Sequence, residues 1–171
     1  ILQFLHDRGV TGKASEDWRP TTGGHKYVIA SQFTSALNSL EDVLNKKGIQ
    51  TAKVTGEVSG RARTEQIRAF DDDADGPRVM LLNTAAGGVS IDLDTYCDEM
   101  LIMDETFIDD DQVQLKARID NRKGEVRPRM YYYIRTLGTI EEAIAKSNVD
   151  QSNLSSDLLD RRRGAEVALR I

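Results

Sequence analysis

Four apolar residues in a row, Val79-Met-Leu-Leu82, run directly into the small polar pair Asn83-Thr84. The glycine pair Gly87-Gly88 and the triplet Ile91-Asp92-Leu93 follow. An apolar run without alternation fits a strand covered on both faces, the environment of a parallel sheet. The polar pair and the glycines then fall at the carboxyl end of that strand, where open α/β sheets bind ligands. A hydroxyl, with backbone N–H groups that glycine leaves accessible, suits a phosphate at such a place. A strand and a tight turn with nothing bound would read the same way, so this segment does not decide function alone.

The flanking sequence repeats the theme. Tyr27–Ser31 reads as a short apolar strand, and Thr51–Thr55, Arg78–Asn83, Glu99–Asp104 and Arg129–Arg135 as four more. Between them, Phe33 to Lys47 carries Leu37, Leu40, Val43 and Leu44 at helical spacing, and Gly48 supplies a C-terminal stop. Arg61–Phe70 is predicted as a helix with Ile67 and Phe70 inward, and Asp110–Arg122 as another. Thr139-Ile-Glu-Glu142 has the form of a capping box that opens a further helix. Regular alternation of this kind predicts an α/β fold, a parallel sheet with helices on both faces.

Length and composition are compatible with that. A chain of 171 residues with 39% hydrophobic and 30% charged residues suits one globular domain with a real core. No apolar run approaches the length of a membrane span, no signal-peptide pattern is present, and no membrane partner is expected. The single cysteine, Cys97, excludes an internal disulfide and fits a reducing, intracellular setting. Beside an apolar strand it reads as a small buried side chain and not a nucleophile. The net charge of −5 is unfavourable for nucleic acid overall, although it does not report where Lys and Arg cluster. Asp71-Asp-Asp73 and Asp109-Asp-Asp111 flank predicted helix ends and read as a solvated turn and a helix-capping run. Neither is read as a metal site, because consecutive aspartates in a turn do not converge on one ion.

Two further segments are decoys. Gly9-Val-Thr-Gly-Lys-Ala-Ser15 has the flavour of a phosphate-binding loop, but Asp7 occupies the first glycine position and Ala14 the magnesium-binding one. Leu101-Ile-Met-Asp-Glu105 ends in an acidic pair of the kind that holds magnesium, yet no phosphate loop precedes it. A complete α/β nucleotide-binding or flavodoxin-like protein would want a glycine-rich loop after its first strand, and Ser31-Gln-Phe-Thr34 has no glycine.

In order, Lys26-Tyr-Val-Ile-Ala-Ser-Gln-Phe-Thr-Ser-Ala-Leu37, Val54-Thr-Gly-Glu-Val-Ser-Gly60 with Arg63–Phe70, Val79–Leu93, Met100–Asp104, Asp111–Arg122 and Tyr131–Glu142 form a series. This series resembles the second RecA-like lobe of superfamily 2 helicases, and within them the Swi/Snf-type DNA translocases. The resemblance covers about Lys26 to Ala145. It implies a motor whose first lobe, on the same polypeptide, holds most of the ATP and Mg2+. This lobe would close over them. Gln114 and Arg118, four apart on one helical face with Arg122 four further, match motif VI and its arginine finger. Gly88 and Asp92 match the motif V positions near the nucleotide, Asp92 accepting from ribose. Gln32 and Thr34 of motif IV, Thr55-Gly56 after the second strand, and Thr84 with Gly87 of motif V match contacts to a DNA backbone. Such contacts imply little sequence preference. No metal ligand is assigned in this chain.

The pattern also departs from the family. Swi/Snf-type motors have Arg-x-x-Arg in motif VI, whereas this chain has Arg118-Ile-Asp-Asn121 with Arg122 one place later. An alternative register takes Gln112 as the glutamine and puts Lys116 and Ile119 at the two basic positions. Glu105-Thr-Phe107 stands in place of Trp-Asn-Pro, and Ala85 in place of the arginine after the motif V threonine. These departures keep a second function open, a non-hydrolysing docking or nucleic-acid-binding module derived from such a lobe. The expected organisation is an N-terminal helix and connector over 1–25, the lobe over 26–147, and a helical tail over 148–171. Arg161-Arg-Arg163 in the tail reads as a solvated face rather than a DNA contact. The expected location is cytoplasmic for a bacterial or viral source and nuclear for a eukaryotic one.

Overall fold

The computed structural model describes residues 1–10, 26–58, 60–71, 76–84, 93, 97–104, 115, 129–135, 138–140, 143–144, 146–147 and 149–150. In chain order these form α1 (Leu2–Asp7), β1 (Lys26–Ser31), α2 (Thr34–Lys46), β2 (Thr51–Val54), α3 (Gly60–Asp71), β3 (Val79–Asn83), β4 (Cys97–Ile102) and β5 (Met130–Tyr133). The strands make one parallel sheet of order β2-β3-β1-β4-β5. This is the parallel sheet with helices on both faces that the alternation predicts, and its topology fits the RecA-like lobe that the resemblance implies.

Burial on both faces explains the unbroken apolar runs. Along β3, Val79 and Leu81 enter one core cluster while Met80 and Leu82 enter the other. β1 divides in the same way, with Tyr27 and Ile29 on one side and Val28 and Ala30 on the other. The step from β1 to β2 runs in the opposite direction to the step from β2 to β3. Right-handed crossovers therefore send α2 and α3 to opposite faces. Leu37 and Leu44 of α2 accordingly lie in one cluster and Phe70 of α3 in the other.

Local signals set the helix limits. Gly48, at φ +73°, takes the left-handed conformation that ends α2. The N–H of Gly48 donates to Asn45 O at 2.9 Å and that of Ile49 to Leu44 O at 3.0 Å, closing the last turn. Val43, read with the inward stripe, is 39% exposed while Leu37 and Leu44 are fully buried. Six residues beyond Leu37 the helix has turned well off the buried face, so Val43 borders the stripe instead of filling it.

The α2 face is also covered by α1. Leu5 is buried there, and Phe4 meets Tyr27 and Tyr132 edge to face at 6.1 and 5.0 Å. Arg8 stacks 3.5 Å over the Phe4 ring and donates to Glu99 Oε2 at 2.8 Å and Tyr132 Oη at 3.0 Å. On the other side, Lys26 is almost fully buried, its ammonium donating to Phe70 O and lying 5.3 Å from the Phe70 ring. Cys97 is buried as expected, and desolvation pushes its thiol up to about 12, so it remains protonated and unreactive.

The predicted strands and the first three helices are all present within a residue or two. Ile140 and the described residues between 143 and 150 are helical, in line with the capping sequence at Thr139. Of the predicted helix Asp110–Arg122, Leu115 is described: it is helical and buried in the cluster on the α3 face. The connector Thr11–Gly24 and the tail beyond Asp150 lie outside the described residues. Among the described residues no helix is long and apolar enough to cross a membrane.

Candidate nucleic-acid interface

The parallel register brings the carboxyl ends of three strands level. Ser31 of β1 pairs with Asn83 of β3, and Ala30 pairs with Ile102 of β4. Beyond β3, Val54 of β2 pairs with Leu82, which sets Thr55 beside that same edge. The segments Ser31–Thr34, Thr55-Gly56, Asn83-Thr84 and Met103-Asp104 thus share one rim of the sheet. Four of the sequence-predicted contacts, Gln32, Thr34, Gly56 and Thr84, stand there exposed or half-buried.

Internal hydrogen bonds occupy many of the backbone groups on this rim. The N–H of Thr84 donates to Ser31 O at 3.1 Å, and that of Phe33 to Ser31 Oγ at 3.0 Å. The N–H of Gln32 donates to Asp104 Oδ2 at 2.9 Å. Asn83 Nδ2 donates to Gln32 O at 2.9 Å and to Thr34 Oγ1 at 3.1 Å. Sequence patterning assigns the phosphate contacts partly to free N–H groups. With those of Gln32, Phe33 and Thr84 committed inward, side chains are left to reach outward from these positions. The supporting pair Asn83 and Asp104 was not foreseen as such. Their signal was the small polar residue closing each apolar strand, but their partners belong to a different strand.

Thr55 differs from its expected role. It is fully buried, with its hydroxyl accepting from the Glu57 N–H at 3.4 Å and its carbonyl from the Val58 N–H at 3.2 Å. The hydroxyl shapes the turn and presents no surface to a ligand. Gly56, next in the chain, is exposed, and a Cβ built on it meets open space. The fold therefore tolerates a side chain at Gly56. Gly56→Ala is expected to leave the unfolding free energy unchanged or raise it by up to about 1 kcal/mol. If a phosphate approaches this backbone, the same substitution weakens DNA binding; an unchanged DNA affinity removes Gly56 from the interface.

Asp104, one member of the acidic pair, is occupied as a backbone acceptor. Its second oxygen, Oδ1, is buried and has no hydrogen-bond partner among the described residues. Among the described residues no group of three or more His, Cys, Asp or Glu side chains is placed to hold a metal. Gly87, Gly88, Asp92, Gln114, Arg118 and Arg122, together with Gln112, Lys116 and Asn121, lie outside the described residues.

The family model described as the helicase conserved C-terminal domain matches residues 19–121. The chain is similar to Chromodomain-helicase-DNA-binding protein 1-like of Danio rerio, 34% identical over 82% of this chain and 13% of that protein. It is also similar to ATP-dependent DNA helicase DDM1 of Arabidopsis thaliana, 30% identical over 71% of this chain and 16% of that protein. The crystal structure of the C-terminal part of the Fun30 ATPase domain superposes with a TM-score of 0.65 at 30% identity. That match covers 72% of this chain and 39% of the other. The chain thus spans a small fraction of the length of these curated relatives. From motif order, sheet topology and these likenesses together, the chain belongs to the helicase conserved C-terminal domain family, as a second RecA-like lobe of the Swi/Snf-type superfamily 2 helicases.

Proposed function

We propose that this lobe grips a DNA backbone and completes an ATP site held by a first lobe of the same polypeptide. The observation that carries the DNA part is the convergence of Gln32, Thr34 and Thr84 on one rim of the sheet, with the backbone beneath them tied inward. Neutral amide and hydroxyl groups at strand ends hold phosphates without reading bases. Gly56 leaves room for the backbone to approach, Gly87 is assigned a DNA contact by its place in motif V, and Thr55 supports the turn from within.

For the ATP part, Gln114, Arg118 and Arg122 act across the cleft and Gly88 and Asp92 meet the nucleotide. A guanidinium keeps its charge at all working pH values and spreads five donors over the oxygens of a transferring phosphoryl group. ATP and Mg2+ are held mainly by the first lobe. The relatives compared are eukaryotic, which supports a nuclear location over the bacterial or viral alternatives.

Binding to random-sequence duplex DNA and ATP turnover by the purified 171-residue chain test this reading. Weak binding is expected, falling steeply as salt is raised from about 50 to 200 mM, the behaviour of backbone contacts. ATP hydrolysis at background level is expected with or without DNA. Tight, sequence-selective, salt-insensitive binding would overturn the backbone-gripping assignment. DNA-stimulated turnover by this chain alone would overturn the two-lobe assignment. A docking module without motor activity predicts instead that the two-lobed polypeptide also fails to hydrolyse ATP.

A further inference from the structure

The peptide of Gln32 is held from two sides by side chains of neighbouring strands. Its N–H donates to Asp104 Oδ2 and its carbonyl accepts from Asn83 Nδ2, each at 2.9 Å. A carbonyl only accepts, which identifies the group facing it as the amide nitrogen of Asn83 and not its oxygen. That nitrogen carries two protons and offers no acceptor, so its second contact, to Thr34 Oγ1 at 3.1 Å, also runs outward from Asn83. Thr34 is the acceptor in this pair. Its own hydroxyl proton is left to point away from Asn83.

We propose that Asn83 is a positioning residue that sets the Thr34 hydroxyl as a hydrogen-bond donor to a DNA phosphate oxygen, while Asp104 keeps the Gln32 peptide in place beside it. This rests on reading the lobe as gripping a DNA backbone. Asn83 is 4% exposed and acts from beneath the rim without touching DNA. Thr34 is half-buried at the first position of α2, and Gln32 beside it is exposed. A phosphate oxygen only accepts, so the hydroxyl polarity that Asn83 imposes is the useful one. An acceptor in place of the Asn83 amide would draw the Thr34 proton inward and spoil it.

A double-mutant cycle on this chain tests the coupling, with affinity for random-sequence duplex DNA at low salt read beside thermal unfolding. Thr34→Val and Asn83→Ala are each expected to weaken binding about three- to tenfold, the scale of one hydrogen bond. The double variant is expected to bind no worse than the weaker single variant, because both remove one contact. Thr34→Ser, which keeps the hydroxyl, is expected to hold wild-type affinity. Asn83→Ala also frees the Gln32 carbonyl and lowers stability; a purely structural role would lower stability without this non-additivity in DNA affinity. If Asn83→Ala does not fold, Asn83→Asp serves. It keeps the shape but only accepts, so it is expected to weaken binding by at least as much as Thr34→Val and to make that change silent. Additive losses in either cycle overturn this proposal alone; full affinity in Thr34→Val overturns it and also removes Thr34 from the DNA-gripping rim, leaving Gln32 and Thr84 to carry the functional reading. Absence of DNA binding by the wild-type chain overturns the functional reading and this proposal with it.

Discussion

Arg118→Ala, made in a polypeptide that carries both lobes, is expected to lower DNA-stimulated ATP turnover by about 10³-fold, the scale for loss of an arginine finger. DNA affinity is expected to stay close to wild type, because the contacts assigned to DNA lie at Gln32, Thr34 and Thr84. Arg122→Ala is expected to cost nearly as much and Asn121→Ala little, if Arg122 stands in for the family's second arginine. Asn121→Arg then raises turnover by restoring the usual spacing, since small displacements of a charge-stabilising group carry large rate penalties. The alternative register gives a different order: Lys116→Ala severe and Arg122→Ala near neutral. Measuring kcat for the alanine variants at saturating DNA separates the two. Wild-type turnover in Lys116→Ala, Arg118→Ala and Arg122→Ala alike would remove this helix from the catalytic machinery and favour a docking lobe.

The fold was more legible than the site, for a physical reason. β1, β3 and β4 are covered on both faces, so burial writes itself into the sequence as runs such as Val28–Ala30, Val79–Leu82 and Met100–Ile102. α2 was legible from Leu37 and Leu44 and from the stop at Gly48, which depend on neighbours close in sequence. What escaped depends on partners far along the chain. Asn83 meets Gln32 and Thr34 about fifty residues away, and Asp104 meets Gln32 over seventy away. Only the register of the parallel strands brings them together, and no local pattern encodes that register. The burial of Lys26 was hidden for the same cause. A lysine opening a strand reads as a solvated end, yet Phe70 of α3 supplies both a carbonyl acceptor and a ring face. The motif resemblance put Thr55 among the DNA contacts because it records order along the chain. Which way a hydroxyl faces is settled by the turn it helps to close.

Phe70→Ala is expected to destabilise the chain by about 3–5 kcal/mol, the usual cost of truncating a large aromatic in a packed core. Phe70 is fully buried and shares its cluster with Val54, Met80 and Leu82, residues of the two strands that α3 connects. Truncation therefore opens a cavity between α3 and the sheet, where a backbone tied into β2 and β3 limits collapse. A second loss adds to the first. The Phe70 ring lies beneath the buried Lys26 ammonium, and without it that charge keeps its carbonyl acceptor but loses an aromatic face. A domain of this kind has only about 5–15 kcal/mol to lose, so the urea midpoint is expected to fall by roughly a fifth or more. Val43→Ala, on the exposed border of α2, provides the contrast, with an expected change within about 0.5 kcal/mol. Equal effects of the two substitutions, or a Phe70→Ala loss below about 1 kcal/mol, would show that α3 is not packed on the sheet as described. Because the rim that carries Thr55 and Gly56 hangs between β2 and α3, the variant is also expected to bind DNA more weakly well before it unfolds. A stability loss without that change in affinity would separate this turn from the DNA-gripping rim, leaving Gln32, Thr34 and Thr84 to carry the contact.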